Sequence, residues 1–162
     1  MATVNLSEYQ KLNVHDADEF SIGIVVSEWN GFVTENLYRG CVATLLKEGM
    51  REEKITTFTV PGAFELNYAC MQLCKSSHYD AVIAIGCVIR GETPHFDYVC
   101  SAVAQGIKDC NLLTDTPTVF CLLTDNTKEQ SIARSGGKLG NKGIEAAVTA
   151  LKMISFRKQM SK

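Results

Sequence analysis

The sequence predicts an α/β fold, a three-layer α/β/α sandwich around a four-stranded parallel sheet. Four short runs of apolar and β-branched residues alternate with longer segments whose apolar positions recur at helical spacing. A helical segment follows each strand, so consecutive strands run parallel through right-handed crossovers. Helices set between apolar strands imply a sheet covered on both faces.

Each element has its own justification. Residues 1–18 are polar with scattered apolar positions (Val4, Leu6, Leu12, Val14) and read as an arm or a weak edge strand. Residues 20–26, Phe-Ser-Ile-Gly-Ile-Val-Val, form the first strand. Residues 32–47 place Leu37, Cys41, Val42, Leu45 and Leu46 at helical spacing, with Gly49 as terminator. Residues 54–60 alternate as a strand and stop at Pro61-Gly62, and 63–75 are helical. Residues 81–89 make the third strand, and a helix runs over 95–113. Residues 117–124 are the fourth strand, 127–135 a short helix and 136–143 a glycine-dense turn. The last helix covers 144–156, with Ala147, Leu151 and Ile154 on one face.

The length of 162 residues fits one domain over 1–162, with 1–14 as an N-terminal arm. A net charge of -2 gives no electrostatic case for nucleic acid or an anionic membrane. No apolar run reaches the ~18 residues of a membrane span. The seven cysteines are odd in number, and no signal peptide precedes them. They read as small buried hydrophobes in a reducing cytoplasm, with a metal or redox role as the alternative. Cys70 and Cys74 lie one helical turn apart, without a second pair at zinc-site spacing.

In such sheets ligands bind beyond the carboxyl ends of the strands. Each strand here ends in polar or aromatic candidates. Trp29, the single tryptophan, sits where it can stack on a planar heterocycle or cover the core edge. Asn30 can bind a polyol or start a helix. Glu65 suits the first helical turn and can equally accept hydroxyl hydrogen bonds. The segment Gly86-Cys-Val-Ile-Arg-Gly-Glu-Thr-Pro-His95-Phe-Asp97 reads as strand, turn and helix N-terminus, the layout of an anion site. His95 stands at its mouth, as a proton carrier or as a plain helix-start residue. Arg134, Lys138 and Lys142 flank the glycine turn, as solvated charges or as a cationic rim for a phosphate. The glycines match neither a Walker loop nor a dinucleotide fingerprint.

Four segments together resemble the lumazine synthase family. They are Ser27-Glu28-Trp29-Asn30, Val60-Pro61-Gly62-Ala63-Phe64-Glu65, the Gly86 to Asp97 stretch, and Arg134-Ser-Gly-Gly-Lys-Leu-Gly-Asn-Lys142-Gly143. They fall in the family's order and spacing, cover about residues 15–158, and the third is the most specific. The resemblance implies a flavodoxin-like topology. It implies condensation of 5-amino-6-(D-ribitylamino)uracil with 3,4-dihydroxy-2-butanone 4-phosphate, with no metal and no organic cofactor.

By this resemblance Trp29 stacks on the pyrimidine ring, where many relatives carry Phe. Asn30 and Glu65 hold the ribityl chain. Ala63, Phe64, Val88, Ile89 and Arg90 belong to the same substrate pocket. Gly91, Glu92 and Thr93 form the phosphate turn, Arg134 is its cationic clamp, and His95 transfers protons. Phe120 and Lys142 match positions that a neighbouring subunit contributes. Gly137 departs from a common Thr and is expected to loosen its turn. The family assembles as pentamers, and many members close these into an icosahedral shell. Members that stop at pentamers often carry an insertion between the last two helices. The short 136–143 turn points to the shell. An enclosed riboflavin synthase is a further implied partner, and the 1–14 arm is expected to add a strand to a neighbour's sheet. Two alternatives stay open. An archaeal-type riboflavin synthase shares the fold but needs no phosphate site, which the Gly91–Thr93 turn with Arg134 disfavours. A non-catalytic flavin-binding shell would keep a flavin spectrum through dialysis.

Overall fold

The computed structural model describes residues 5–12, 14 and 16–160. The chain runs β1 (Ile22–Ser27), α1 (Gly31–Lys47), β2 (Ile55–Val60), α2 (Leu66–Ser76), β3 (Ala81–Ile89) and α3 (His95–Leu113). It continues through β4 (Thr118–Asp125), α4 (Lys128–Arg134), the short strands β5 (Ser135–Gly137) and β6 (Gly140–Asn141), and α5 (Lys142–Met160). The main sheet has the order β2-β1-β3-β4 and is parallel throughout. Ile22 pairs with Ile55 on one side and Ala81 on the other. The chain therefore reverses direction of travel across the sheet between β1 and β3, and the crevice above those strands is the expected ligand position.

Alternation along the strands divides the core in two. Ile22, Ile24 and Val26 of β1 join Ile83, Ile85 and Cys87 of β3 against Leu37 and Leu45 of α1 and Leu151 and Ile154 of α5. The intervening Val25, Val82, Ala84 and Leu122 meet Leu66 and Cys70 of α2 and Val103 and Ile107 of α3. This is the predicted three-layer, flavodoxin-like sandwich.

The two sheet edges depart from the expectation of full cover. Residues 56–59 of β2 are exposed, and Phe120 on β4 is 43% exposed. The α2 helix begins at Leu66 instead of 63, because the preceding residues close turns of i to i−3 type, Leu66 N–H to Ala63 O at 3.2 Å and Asn67 N–H to Phe64 O at 3.3 Å. The α5 helix is longer at both ends than 144–156. Asn141 Oδ1 accepts the Gly143 N–H at 2.8 Å, and Arg157 and Lys158 suit the last turn.

The glycine turn is a small antiparallel hairpin, β5 with β6. At Gly137 an added Cβ would lie 2.8 Å from Ala133 Cα and 2.9 Å from the Ile132 carbonyl. Glycine there lets the hairpin close on α4 without a side chain pressing on its backbone. Of the cysteines, Cys100 is only partly buried and the other six are buried. In the arm, residues 5–12 and 14 form no strand. Tyr9 donates its O–H to Glu48 Oε1 at 2.9 Å, Leu12 N–H donates to Glu48 Oε2 at 3.1 Å, and Leu12 and Val14 pack on the α1/α5 core. Burial first, then the hydrogen bond and charge of Glu48, push the Tyr9 hydroxyl up to about 12. Val4 and His15 lie outside the described residues.

Candidate functional site

The loops beyond the strand ends are stitched to one another. Glu28 N–H donates to Val60 O at 2.9 Å and Trp29 N–H to Pro61 O at 3.0 Å, which extends the β1–β2 pairing into the loops. Trp29 lies across Gly62, where an added Cβ would stand 2.6 Å from the indole ring. The ring remains 66% exposed, so one face is open to a ligand. Asn30 takes a left-handed backbone conformation (φ 61°), and its Nδ2 donates to Cys87 O at 2.9 Å. Its side chain thus ties the end of β1 to β3 instead of capping α1. Glu65 Oε2 accepts the Gly62 N–H at 3.0 Å, which holds the β2–α2 turn closed under the Trp29 ring. The carboxylate has a structural bond and stands at the β1/β2 loops where a ligand would sit. Ala63 is buried beneath this corner and Phe64 is 55% exposed.

The third strand end supplies the turn. Val88 and Ile89 are half-buried, and Gly91, Glu92 and Thr93 are exposed ahead of α3. Nothing lies within 4 Å of a Cβ placed on Gly91, so the turn faces open space. His95 is the first residue of α3 and is exposed beside the helix N-terminus. Arg90 does not point free. Its guanidinium grips both Asp97 oxygens (2.7 and 3.2 Å), donates through Nε to Asn126 Oδ1 at 3.0 Å, and covers the Phe96 ring at 4.2 Å. Arg90 therefore braces the turn. Its guanidinium holds the Asp97 carboxyl below the usual carboxylate range.

Arg134 belongs to the fourth strand end. It lines a groove of about 670 Å³ with Phe120 and Thr124 of β4 and Lys142, Glu145 and Thr149 of α5. The residues Trp29, Glu65, Gly91 and His95 do not line this groove. Asp125 lines the same groove, and its carbonyl accepts the Arg90 N–H at 3.0 Å, so the groove begins at the end of β4 beside the third strand-end turn. Arg134 Nε lies 3.4 Å from Asp125 Oδ1, an ion-pair contact that lacks hydrogen-bond alignment. Lys142 pairs with Glu145 at 2.7 Å.

Sequence reasoning marks Thr124-Asp125 as the candidate at the end of the fourth strand and gives Ser131 no role, and both support Arg134. Ser131 Oγ donates to Asp125 Oδ2 at 2.9 Å, and Cys87 Sγ lies 3.5 Å from Ser131 Oγ. Burial pushes the Cys87 thiol up to about 11, against the Ser131 hydrogen bond, so it remains a donor. The signal available in sequence was the spacing of Ser131 and Arg134 on one helix, below a strand ending in Asp125. Among the described residues, no group of three or more His, Cys, Asp or Glu could hold a metal ion. No helix among them is long and apolar enough to cross a membrane.

Residues 19–158 match the family model described as 6,7-dimethyl-8-ribityllumazine synthase. Proteins with that same name are similar along nearly all of the chain. The one from Parabacteroides distasonis is 54% identical, over 96% of this chain and 99% of its own length. Those from Flavobacterium johnsoniae and Phocaeicola vulgatus are 53% and 49% identical, over 97% and 100% of this chain and 83% and 98% of their own. With its sheet order, its strand-end residues and a match over 19–158, the chain belongs to the 6,7-dimethyl-8-ribityllumazine synthase family.

Proposed function

We propose that this chain is a transferase of riboflavin biosynthesis that condenses 5-amino-6-(D-ribitylamino)uracil with 3,4-dihydroxy-2-butanone 4-phosphate. The products are 6,7-dimethyl-8-ribityllumazine, phosphate and water. The observation that carries the reading is the gathering of an open indole face, an amide, a carboxylate, an exposed glycine turn and a histidine at the ends of β1, β2 and β3. The pyrimidine stacks on Trp29 and its ribityl hydroxyls meet Asn30 and Glu65. Ala63, Phe64, Val88, Ile89 and the braced Arg90 turn shape the pocket. The phosphate sits on Gly91, Glu92 and Thr93 at the start of α3, where the free N–H groups and the helix dipole favour an anion.

The chemistry follows from these positions. The amine attacks the ketone and an imine forms with loss of water. His95 then moves a proton between carbon and solvent so that the phosphate can leave. Arg134 and the turn amides stabilise the departing phosphate. The ribityl-bearing nitrogen then attacks the remaining carbonyl carbon, and that oxygen leaves as a second water when the ring closes; the step is favoured because both ends are held together.

The same proposal completes the site across subunits. Arg134, Phe120 and Lys142 share one groove along β4, and in this reading they serve the site of an adjacent subunit. The exposed β4 edge is the face where that neighbour docks. We place the chain in a pentamer closed into an icosahedral shell, with a single domain per subunit, in the cytoplasm, with room for an enclosed riboflavin synthase.

The single tryptophan provides the test. Titration with the ribitylaminouracil should quench Trp29 fluorescence saturably, and addition of inorganic phosphate alone should not. An emission unchanged at saturating pyrimidine removes Trp29, and the site built on it, from the reading.

A further inference from the structure

We propose that Asn126, the residue that follows β4, is a positioning residue for the phosphate turn. Its side-chain carbonyl anchors the Arg90 guanidinium and so fixes the exposed backbone of Gly91, Glu92 and Thr93. The inference rests on the reading of that turn as the phosphate site, and it adds the group that holds the turn in shape.

The turn needs such an anchor. Residues 91–95 are all exposed, and nothing lies within 4 Å of a Cβ placed on Gly91. Backbone with little packed around it opens easily unless its ends are tethered. An anion site loses affinity when its N–H groups must be ordered at the moment of binding. The tether is the Arg90 side chain. Its terminal nitrogens hold the two Asp97 oxygens at 2.7 and 3.2 Å, which bridges the entry of the turn to the first turn of α3. The Phe96 ring lies 4.2 Å beneath the guanidinium. That bridge alone would let the turn and the helix start swing together. The Arg90 Nε–H donates to Asn126 Oδ1 at 3.0 Å, which ties the bridge to the end of β4.

Asn126 is itself held on both sides. The preceding carbonyl, Asp125 O, accepts the Arg90 N–H at 3.0 Å, so β3–β4 pairing continues one residue past the Ile89–Asp125 pair. The Asn126 N–H donates to Gln130 Oε1 at 2.8 Å, the oxygen that also closes the capping box of α4. The acceptor is therefore presented by the joined ends of a strand and a helix, which fixes its direction. A planar guanidinium can engage Nε and both terminal nitrogens at once, a set of contacts that a lysine cannot copy.

The test compares the assembled protein with Asn126→Leu, which keeps the volume and removes the acceptor. The KM for the butanone phosphate should rise roughly three- to tenfold, the loss of one hydrogen bond to a charged group at an exposed site. The KM for the pyrimidine should not change. Inorganic phosphate, titrated by phosphorus NMR, should bind more weakly by the same factor. Arg90→Met should raise the phosphate KM at least as far, and adding Asn126→Leu to it should do nothing more, because Asn126 acts through Arg90. An unchanged phosphate KM, equal rises in both constants, or additive effects of the two substitutions would overturn the proposal. Amide exchange separates it from the reading of the reaction. If the unaltered chain makes no lumazine, that reading fails, while faster exchange confined to residues 91–93 in Asn126→Leu still supports the anchor and unchanged exchange overturns it. Asn126→Ala supplies the same readings if the leucine variant does not assemble.

Discussion

Arg134 is held in place by the buried carboxylate of Asp125. Asp125 is 93% enclosed, and it holds Arg134 through charge while Ser131 holds Asp125. Asp125 is therefore a positioning residue. Arg134→Ala should raise the KM for the phosphate substrate by roughly tenfold or more, the loss of one charge-assisted contact. Asp125→Asn keeps the Ser131 bond and should raise the same KM by less, with the KM for the pyrimidine unchanged. Equal rises in both constants would mean lost packing instead. His95→Ala should slow turnover by roughly 10²-fold without abolishing it, because orientation of the two reactants remains. Complete loss in an intact assembly would contradict that division of labour. The Asp97–Arg90 pair adds a pH signature. Asp97 binds its proton less tightly folded than unfolded, so its contribution is present above the ordinary ~3.9 and fades as pH falls through the depressed value. Stability measured against pH should therefore converge for the unaltered chain and Asp97→Asn in acid. A constant gap would show that the pair carries no linkage.

At the scale of elements, α4 is short and depends on its cap. Thr127 Oγ1 accepts the Gln130 N–H at 3.3 Å, and Gln130 Oε1 accepts the Thr127 N–H at 3.3 Å, a complete capping box. Thr127→Ala should cost about 1 kcal/mol locally. Faster amide exchange confined to α4 is the expected readout, and unchanged exchange would deny the cap its role. The arm depends on Glu48 in the same way. Glu48→Ala removes the partner of both Tyr9 and Leu12, so trypsin should cut after Lys11 faster than in the unaltered chain. The main elements were legible because their signals are local: β-branched runs, helical spacing, and Pro61-Gly62 or Gly49 as punctuation. The strand-end residues were legible because parallel α/β sheets place their loops on one side. What stayed hidden depends on distant partners. The start of α2 depends on turn bonds at 63–65, and the anchor of the arm on Glu48, 36 residues beyond Leu12.

The whole molecule presents two unfinished sheet edges. Phe58 on β2 and Phe120 on β4 are 40% and 43% exposed, apolar surface that a neighbour would cover. In the proposed pentamer different faces of adjacent copies would come together, the strand ends of one against the β4 edge of the next. Sedimentation should show a species far larger than a pentamer at micromolar protein, and a pentamer peak would remove the shell. Co-assembled His95→Ala and Arg134→Ala chains should recover roughly a quarter of full activity at low phosphate substrate, the share of sites whose His95 and Arg134 are both intact under random mixing. Recovery no greater than the sum of the two variants would place both residues in one chain's site. The most direct measurement is the reaction itself: absorbance of the lumazine and release of phosphate, followed together in the assembled protein with both substrates. The account predicts equal amounts of the two products, formed well above the spontaneous rate. A rate no faster than the uncatalysed condensation would contradict it.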